Sequence, residues 1–156
     1  MDNERLFCTF RVDGRLFGVD LLDVKEVTAE TAFTRIAHAP AEVLGLVNIR
    51  GHIYLALDLR TLLAMPDAKM SSESRLVLFK PTVGPAFGVV VDQISEIHSV
   101  VVNEAEFSRN SPELTAAHIG RLDLIESLGK LADELLVILN PRRFLAVVEQ
   151  QLSAIA

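Results

Sequence analysis

The sequence predicts a mainly-β fold arranged as small barrels or a sandwich. Three observations predict it. Apolar residues fall in about ten short runs rich in Val, Ile, Leu and Phe, at near-regular spacing. Several runs are separated by hairpin or turn chemistry such as Asp13-Gly14 and Pro81-Thr82-Val83-Gly84-Pro85. Two blocks of sequence also recur in the same order, which points to an internal duplication.

The elements follow in order. Leu6 to Val12 reads as a strand, Asp13-Gly14 as a tight turn with positive φ, and Leu16 to Asp20 as the return strand. Val24 to Thr28 and Phe33 to Ile36 read as further strands. Val47 to Leu59 reads as a hairpin turning at Arg50-Gly51. Leu76 to Lys80 and Ala86 to Asp92 flank the proline-rich turn. Ile97 to Val102, Leu122 to Ile125 and Leu135 to Leu139 complete the strands. Asp58 is placed to cap a short helix, Leu59 to Met65, stopped by Pro66. Asn140-Pro141 is a cap and first-turn pair. It precedes an amphipathic C-terminal helix with Phe144, Val148, Leu152 and Ile155 on one face. Asn103 to Ala117 reads as a long connection with a helical turn or two.

The repeat is legible residue by residue. Phe17-Gly18-Val19 lies on Phe87-Gly88-Val89, and Glu26 on Glu96 seven residues after the shared valine. Leu57-Asp58-Leu59-Arg60 matches Leu139-Asn140-Pro141-Arg142: in both, a strand ends in a capping residue followed by an arginine. We read residues 1–156 as one domain holding pseudo-repeats at 15–66 and 75–140, with the chain ends free to cross between them. The boundary falls near Pro66 to Ser74.

Composition narrows the function classes. The chain has 156 residues, half of them hydrophobic, enough for a single core without staples. One cysteine excludes an internal disulfide and suits a reducing compartment. A net charge of −6 disfavours binding to nucleic acid through phosphates. The start, Met1-Asp2-Asn3-Glu4-Arg5, has no signal-peptide pattern, and no apolar run is long enough for a membrane helix. The expected location is the cytoplasm, without membrane insertion.

Phe17-Gly18-Val19-Asp20, Val24-Lys25-Glu26-Val27, Gly45-Leu46-Val47-Asn48-Ile49-Arg50-Gly51 and Asp58-Leu59-Arg60, in this order, resemble the signature of the CheW family of bacterial chemotaxis coupling proteins. Phe87-Gly88-Val89-Val90-Val91-Asp92 and the strand Leu135 to Leu139 extend the resemblance to nearly the whole chain. Tyr54-Leu55-Ala56-Leu57 departs from it, since the family often has a proline there, and the stretch from Asn103 to Lys130 matches poorly. The resemblance implies two intertwined, SH3-like, five-stranded barrels and no catalysis. It implies an adaptor that couples chemoreceptor tips to the regulatory domain of a CheA-type histidine kinase, with other CheW-like proteins as further partners. Specialised relatives serve pilus motility and other arrays, which is the alternative pathway.

An adaptor needs exposed apolar surface with a polar rim. Arg50 is the first candidate: it sits beside Gly51 at a turn where its guanidinium can donate in a fixed fork. The resemblance places it at the receptor-contacting surface; the competing reading is a solvated turn arginine. Glu26 is expected to pair with Arg50. Val24 and Val27 either flank a groove or fill a barrel, the latter being the commoner fate of a strand valine. The resemblance favours Val24 for contact, because its motif aligns with a family surface strand. Asn48 and Gly51 are expected to fix the turn. Gly45 either permits close backbone approach at the receptor surface or is a simple turn glycine. Asp58 is expected to cap its helix and Arg60 to lie along its surface.

The enzyme readings find little. His38, His52, His98 and His118 form no zinc-binding spacing, so no metal is expected, and Cys8 sits in an apolar strand as a buried thiol. No phosphate-binding loop, nucleophile elbow or dinucleotide fingerprint occurs, so no cofactor is expected. Lys69-Met70-Ser71-Ser72 and His118-Ile119-Gly120 echo nucleotide motifs of aminoacyl-tRNA synthetases, but in reverse order and in too short a chain. A small-barrel enzyme or ligand-binding protein remains the alternative from a different class, because small barrels host many functions. An oligonucleotide-binding barrel would want exposed aromatics and a basic stripe.

Overall fold

The computed structural model describes residues 4–101 and 119–155, with side chains up to residue 151. Ten strands form two five-stranded antiparallel-rich sheets. The strands are β1 (Glu4–Val12), β2 (Arg15–Asp20), β3 (Val24–Thr28), β4 (Val43–Ile49), β5 (His52–Asp58), β6 (Arg75–Phe79), β7 (Phe87–Val91), β8 (Gln93–Val101), β9 (Ile125–Lys130) and β10 (Leu135–Leu139). Helix α1 is Leu59–Leu62 and helix α2 is Phe144–Ile155. The first sheet runs β8-β1-β2-β10-β9 and the second β3-β6-β7-β5-β4. Neither sheet hydrogen-bonds its two edge strands to each other, so each is an open, SH3-like barrel.

The sheets are intertwined in a regular way. Replacing every strand by the one five places away converts the first order into the second. The registers follow the same rule. Phe17 and Gly18 of β2 lie opposite Val137 and Ile138 of β10 in a parallel pair. Phe87 and Gly88 of β7 lie opposite Leu55 and Ala56 of β5, also parallel. Phe10 faces Ile94 and Cys8 faces Ile97 across a bulge. Phe79 faces Val24 and Val77 faces Val27 across the corresponding one. Even the caps repeat: the Asp58 carboxylate accepts from the Arg60 N–H at 3.2 Å, and the Asn140 side chain accepts from the Arg142 N–H at 3.1 Å.

Most of the apolar burial lies between the sheets. Phe10, Phe17, Leu57, Phe79, Phe87, Leu139 and Phe144 belong to one continuous cluster drawn from both. Phe79 stands edge-on to Phe144 of α2, with centroids 6.0 Å apart. Smaller cores fill each barrel, around Tyr54, Ala56 and Leu78 in one and Phe7, Val100 and Leu136 in the other. The two-residue turn Asp13-Gly14 has φ of 53° and 74°, the left-handed pair that matches strand twist.

Several expected elements differ. Phe33 to Ile36 is not a strand; only Thr34 pairs, in an isolated bridge to Leu46. Leu122–Leu124 is a 3₁₀ turn, with Arg121 clamped to Asp123, and the strand begins at Ile125. That strand was hidden because its inward positions include Ser127 and Gly129 rather than large aliphatics. β4 starts at Val43 and β8 at Gln93, both earlier than the apolar runs suggest. Helix α1 stops at Leu62, short of Met65, and Ala64 takes a φ of 53° ahead of Pro66. The expected connection Asn103 to Ala117, together with His118 and the side chains of Leu152 and Ile155, lies outside the described residues.

Candidate protein-interaction site

The β4–β5 hairpin builds the site. Ile49 pairs with His52, which leaves Arg50 and Gly51 as a two-residue turn with φ of 50° and 87°. A non-glycine residue in this region carries strain, so the turn needs support. Asn48 supplies it: its side-chain oxygen accepts from the Gly51 N–H at 2.8 Å. The turn thus presents the Arg50 side chain, 70% exposed, at the hairpin tip.

Arg50 is exposed but not free. Its Nη2 donates to Glu26 Oε1 on β3, an edge strand of the same sheet. The hydrogen bond from Arg50 holds the Glu26 carboxyl below the usual carboxylate range, against a smaller opposing effect of burial; the charges of Arg50 and Lys25 add to it. One residue earlier on β3, Lys25 Nζ donates to the Tyr54 hydroxyl on β5 at 2.8 Å and lies 5.5 Å from its ring centre. These two contacts tie β3 to the hairpin across the open side of the barrel, where no backbone ladder does so. They also hold Arg50 with one edge of its guanidinium committed to Glu26.

The apolar part of the surface comes from alternation. Val47 and Tyr54 point into the barrel, so Leu46, Asn48 and Ile53 share the outer face of the hairpin. Leu46 is 37% and Ile53 53% exposed. Val27 of β3 is 37% exposed, whereas Val24 packs against the shared core. The resemblance favours Val24 for contact, yet Val27 is the exposed one. Both lie on the same side of β3, opposite Phe79 and Val77, because the bulge between Val24 and Glu26 cancels the alternation that sets residues three apart on opposite faces; Val24 packs on the shared core and Val27 does not.

The remaining candidates are structural in placement. Gly45 has a φ of 145°, and a Cβ there would stand 2.3 Å from the Thr34 carbonyl oxygen. Its close approach is to the chain's own backbone, at the Thr34–Leu46 bridge. Asp58 caps α1, as expected; burial pushes its carboxyl up, against the hydrogen bonds from Thr61 and the Arg60 N–H. Arg60 departs from the surface-lying arginine expected. Its side chain is only 12% exposed and is paired with Asp92, Nε to Oδ1 at 3.1 Å and Nη2 to Oδ2 at 2.5 Å. Arg142, its counterpart after the second cap, pairs with Asp23 at 2.8 and 2.9 Å. Nothing in the sequence joined those partners, since they lie 32 and 119 residues apart.

Sequence reasoning missed Lys25, Tyr54, Leu46 and Ile53. Strict alternation outward from the Arg50-Gly51 turn would have found Leu46 and Ile53. Among the described residues no group of three or more His, Cys, Asp or Glu side chains is placed to hold a metal ion. No helix among them is long and apolar enough to cross a membrane.

Comparison with known proteins follows the same lines. The chain is 28% identical over 146 residues to the chemotaxis protein CheW of Klebsiella aerogenes, covering 94% of this chain and 84% of that protein. It is 31% identical over 96 residues to the chemotaxis protein CheW of Rhizobium meliloti, covering 62% of this chain and 61% of that one. Its fold is similar to the crystal structure of the scaffolding protein TtCheW from Thermoanaerobacter tengcongensis, with a TM-score of 0.71, 24% identity and 89% of each chain covered. The family model for the CheW-like domain matches residues 6–149, a span that takes in both sheets and the Arg50 turn, and the chain belongs to that family.

Proposed function

We propose that this protein is a non-catalytic cytoplasmic adaptor that links chemoreceptor tips to the regulatory domain of a CheA-type histidine kinase. The observation that carries the reading is the CheW-like match across both barrels, residues 6–149, within which the exposed Arg50 is held at a built turn by Glu26. Relatives named chemotaxis protein CheW support the chemotaxis context. Leu46, Ile53 and Val27 supply apolar contact beside a charged group, the mixture that protein-recognition surfaces use. Arg50 is the receptor-contacting residue in this reading, and Glu26 its positioning partner.

The test is a pull-down of the purified protein with the kinase regulatory domain from the same organism, beside co-sedimentation with receptor-containing membranes. Wild type is expected to bind both. Arg50→Glu is expected to keep kinase binding and lose receptor binding by at least about tenfold, since a desolvated charge contact is replaced by repulsion with Glu26 and with the partner. Receptor binding unchanged in Arg50→Glu would sink the site assignment. Absence of kinase binding by the wild type would sink the adaptor reading.

A further inference from the structure

We propose that the segment 66–74 is a hinge through which two copies of this chain exchange halves, so that its length sets whether the protein is a monomer or an intertwined dimer. The inference rests on the strand topology and stands apart from the adaptor reading.

Neither half of the chain completes a sheet. The first half supplies β1 to β5 and the second β6 to β10. In the first sheet, β1 and β2 come from one half and β8, β9 and β10 from the other; the second sheet reverses the roles. The ion pairs cross in the same sense. Arg60 and Arg11 of the first half reach Asp92 and Glu134 of the second. Arg142 of the second half reaches Asp23 of the first, and Arg5 of the first reaches Glu126 of the second. The parallel pairs β2–β10 and β5–β7, with matched registers, make the arrangement a reciprocal exchange of strands between two similar five-stranded units.

Such contacts are indifferent to whether the two halves are joined. Placed between halves of different copies, every strand pair, cap and ion pair would be remade unchanged. What differs is the connection. Residues 66–73 are exposed, and the stretch holds Pro66 and serines 71 and 72, a turn-rich composition. A short linker gives the joined halves an effective concentration on the order of millimolar. At micromolar protein the closed monomer therefore wins by about a thousandfold in that same comparison. Shortening the linker until it cannot span removes that advantage and leaves the two-copy exchange as the way to satisfy both sheets.

The test is removal of Ala68 to Ser72 from the full chain, which takes away roughly 17 Å of reach. The expected result is a folded particle of twice the 17.1 kDa monomer mass by light scattering, with wild-type far-UV circular dichroism. A folded monomer would overturn the proposal. Because the shortened chain can fail to fold, unmodified protein is also unfolded and refolded over a concentration series. The dimer fraction is expected to rise from below about 5% at micromolar to about half near millimolar. The isolated dimer is expected to revert only as fast as global unfolding, because strands must separate. Monomer alone throughout the series, or a dimer that dissociates within the mixing time, would overturn it.

Discussion

At the scale of single residues, the Arg50 turn and the Gly45 approach carry opposite predictions. Arg50 faces solvent at a hairpin tip, so Arg50→Glu should move binding and leave the melting temperature within about 2 °C of wild type, as surface changes do. Glu26 titrates with a lowered pKa in the folded protein. For a carboxylate so shifted, the contribution is present above the unfolded value and is lost as pH falls through the folded one. Receptor binding is therefore expected to be level from neutrality down through the ordinary glutamate range and to fall only in stronger acid. Glu26→Gln should flatten that fall, which a binding profile across pH would check. Gly45 is the reverse case: its close approach is to the chain's own backbone, and any side chain there meets the Thr34 carbonyl and a strained φ. Gly45→Ala is expected to cost about 2 kcal/mol or more in denaturant unfolding.

At the scale of elements, the two capped turns offer an internal control. Asp58 and Asn140 do the same work after equivalent strands, but only Asp58 carries a charge, and burial pushes its carboxyl up. A raised carboxylate costs stability above its folded pKa, and the cost fades as pH falls through that value. Asp58→Ala should lose about 1 kcal/mol with the cap. Asp58→Asn, the residue already used at the second cap, should be neutral or stabilising at neutral pH, and any gain should shrink in acid. Chemical denaturation at two pH values distinguishes these outcomes. The same pairing explains the arginines. Each follows a cap and reaches an acid in the other half of the chain, so Arg60, at 12% exposure, acts as a cross-tie rather than a surface charge.

At the scale of the whole molecule, the dominant core lies between the barrels, and the strands cross from one half to the other. The barrels should therefore unfold together. A single transition is expected by both circular dichroism and calorimetry, with the calorimetric and van't Hoff enthalpies in agreement. Phe144→Ala removes the ring that α2 sets against Phe79 in that shared core, and should cost about 3–5 kcal/mol while keeping the transition single. Two separate transitions would show that the sheets are independent and would count against the shared core as the main source of stability.

The sequence by itself determined much of this. Hairpin dipeptides placed the Asp13-Gly14 and Arg50-Gly51 turns, because a left-handed pair is a local requirement written in local residues. The Asp58 and Asn140 caps were legible for the same reason, and so was the repeat, since Phe-Gly-Val and the capped arginine recur at matching positions. The Glu26–Arg50 pair was expected from the motif and is present. Tertiary structure alone decided the rest. It chose which sheet each strand joined, because parallel pairs such as β2–β10 join residues 120 positions apart without a local signal. It brought Val24 and Val27 to one side of β3 by a bulge, hid β9 behind Ser127 and Gly129, and turned Arg60 inward to Asp92. Periodicity reports the face a residue occupies only while the ladder is regular and the inward positions are apolar. Bulges, small inward residues and ion pairs made across the chain lie beyond that reach, because each depends on residues far away in the sequence.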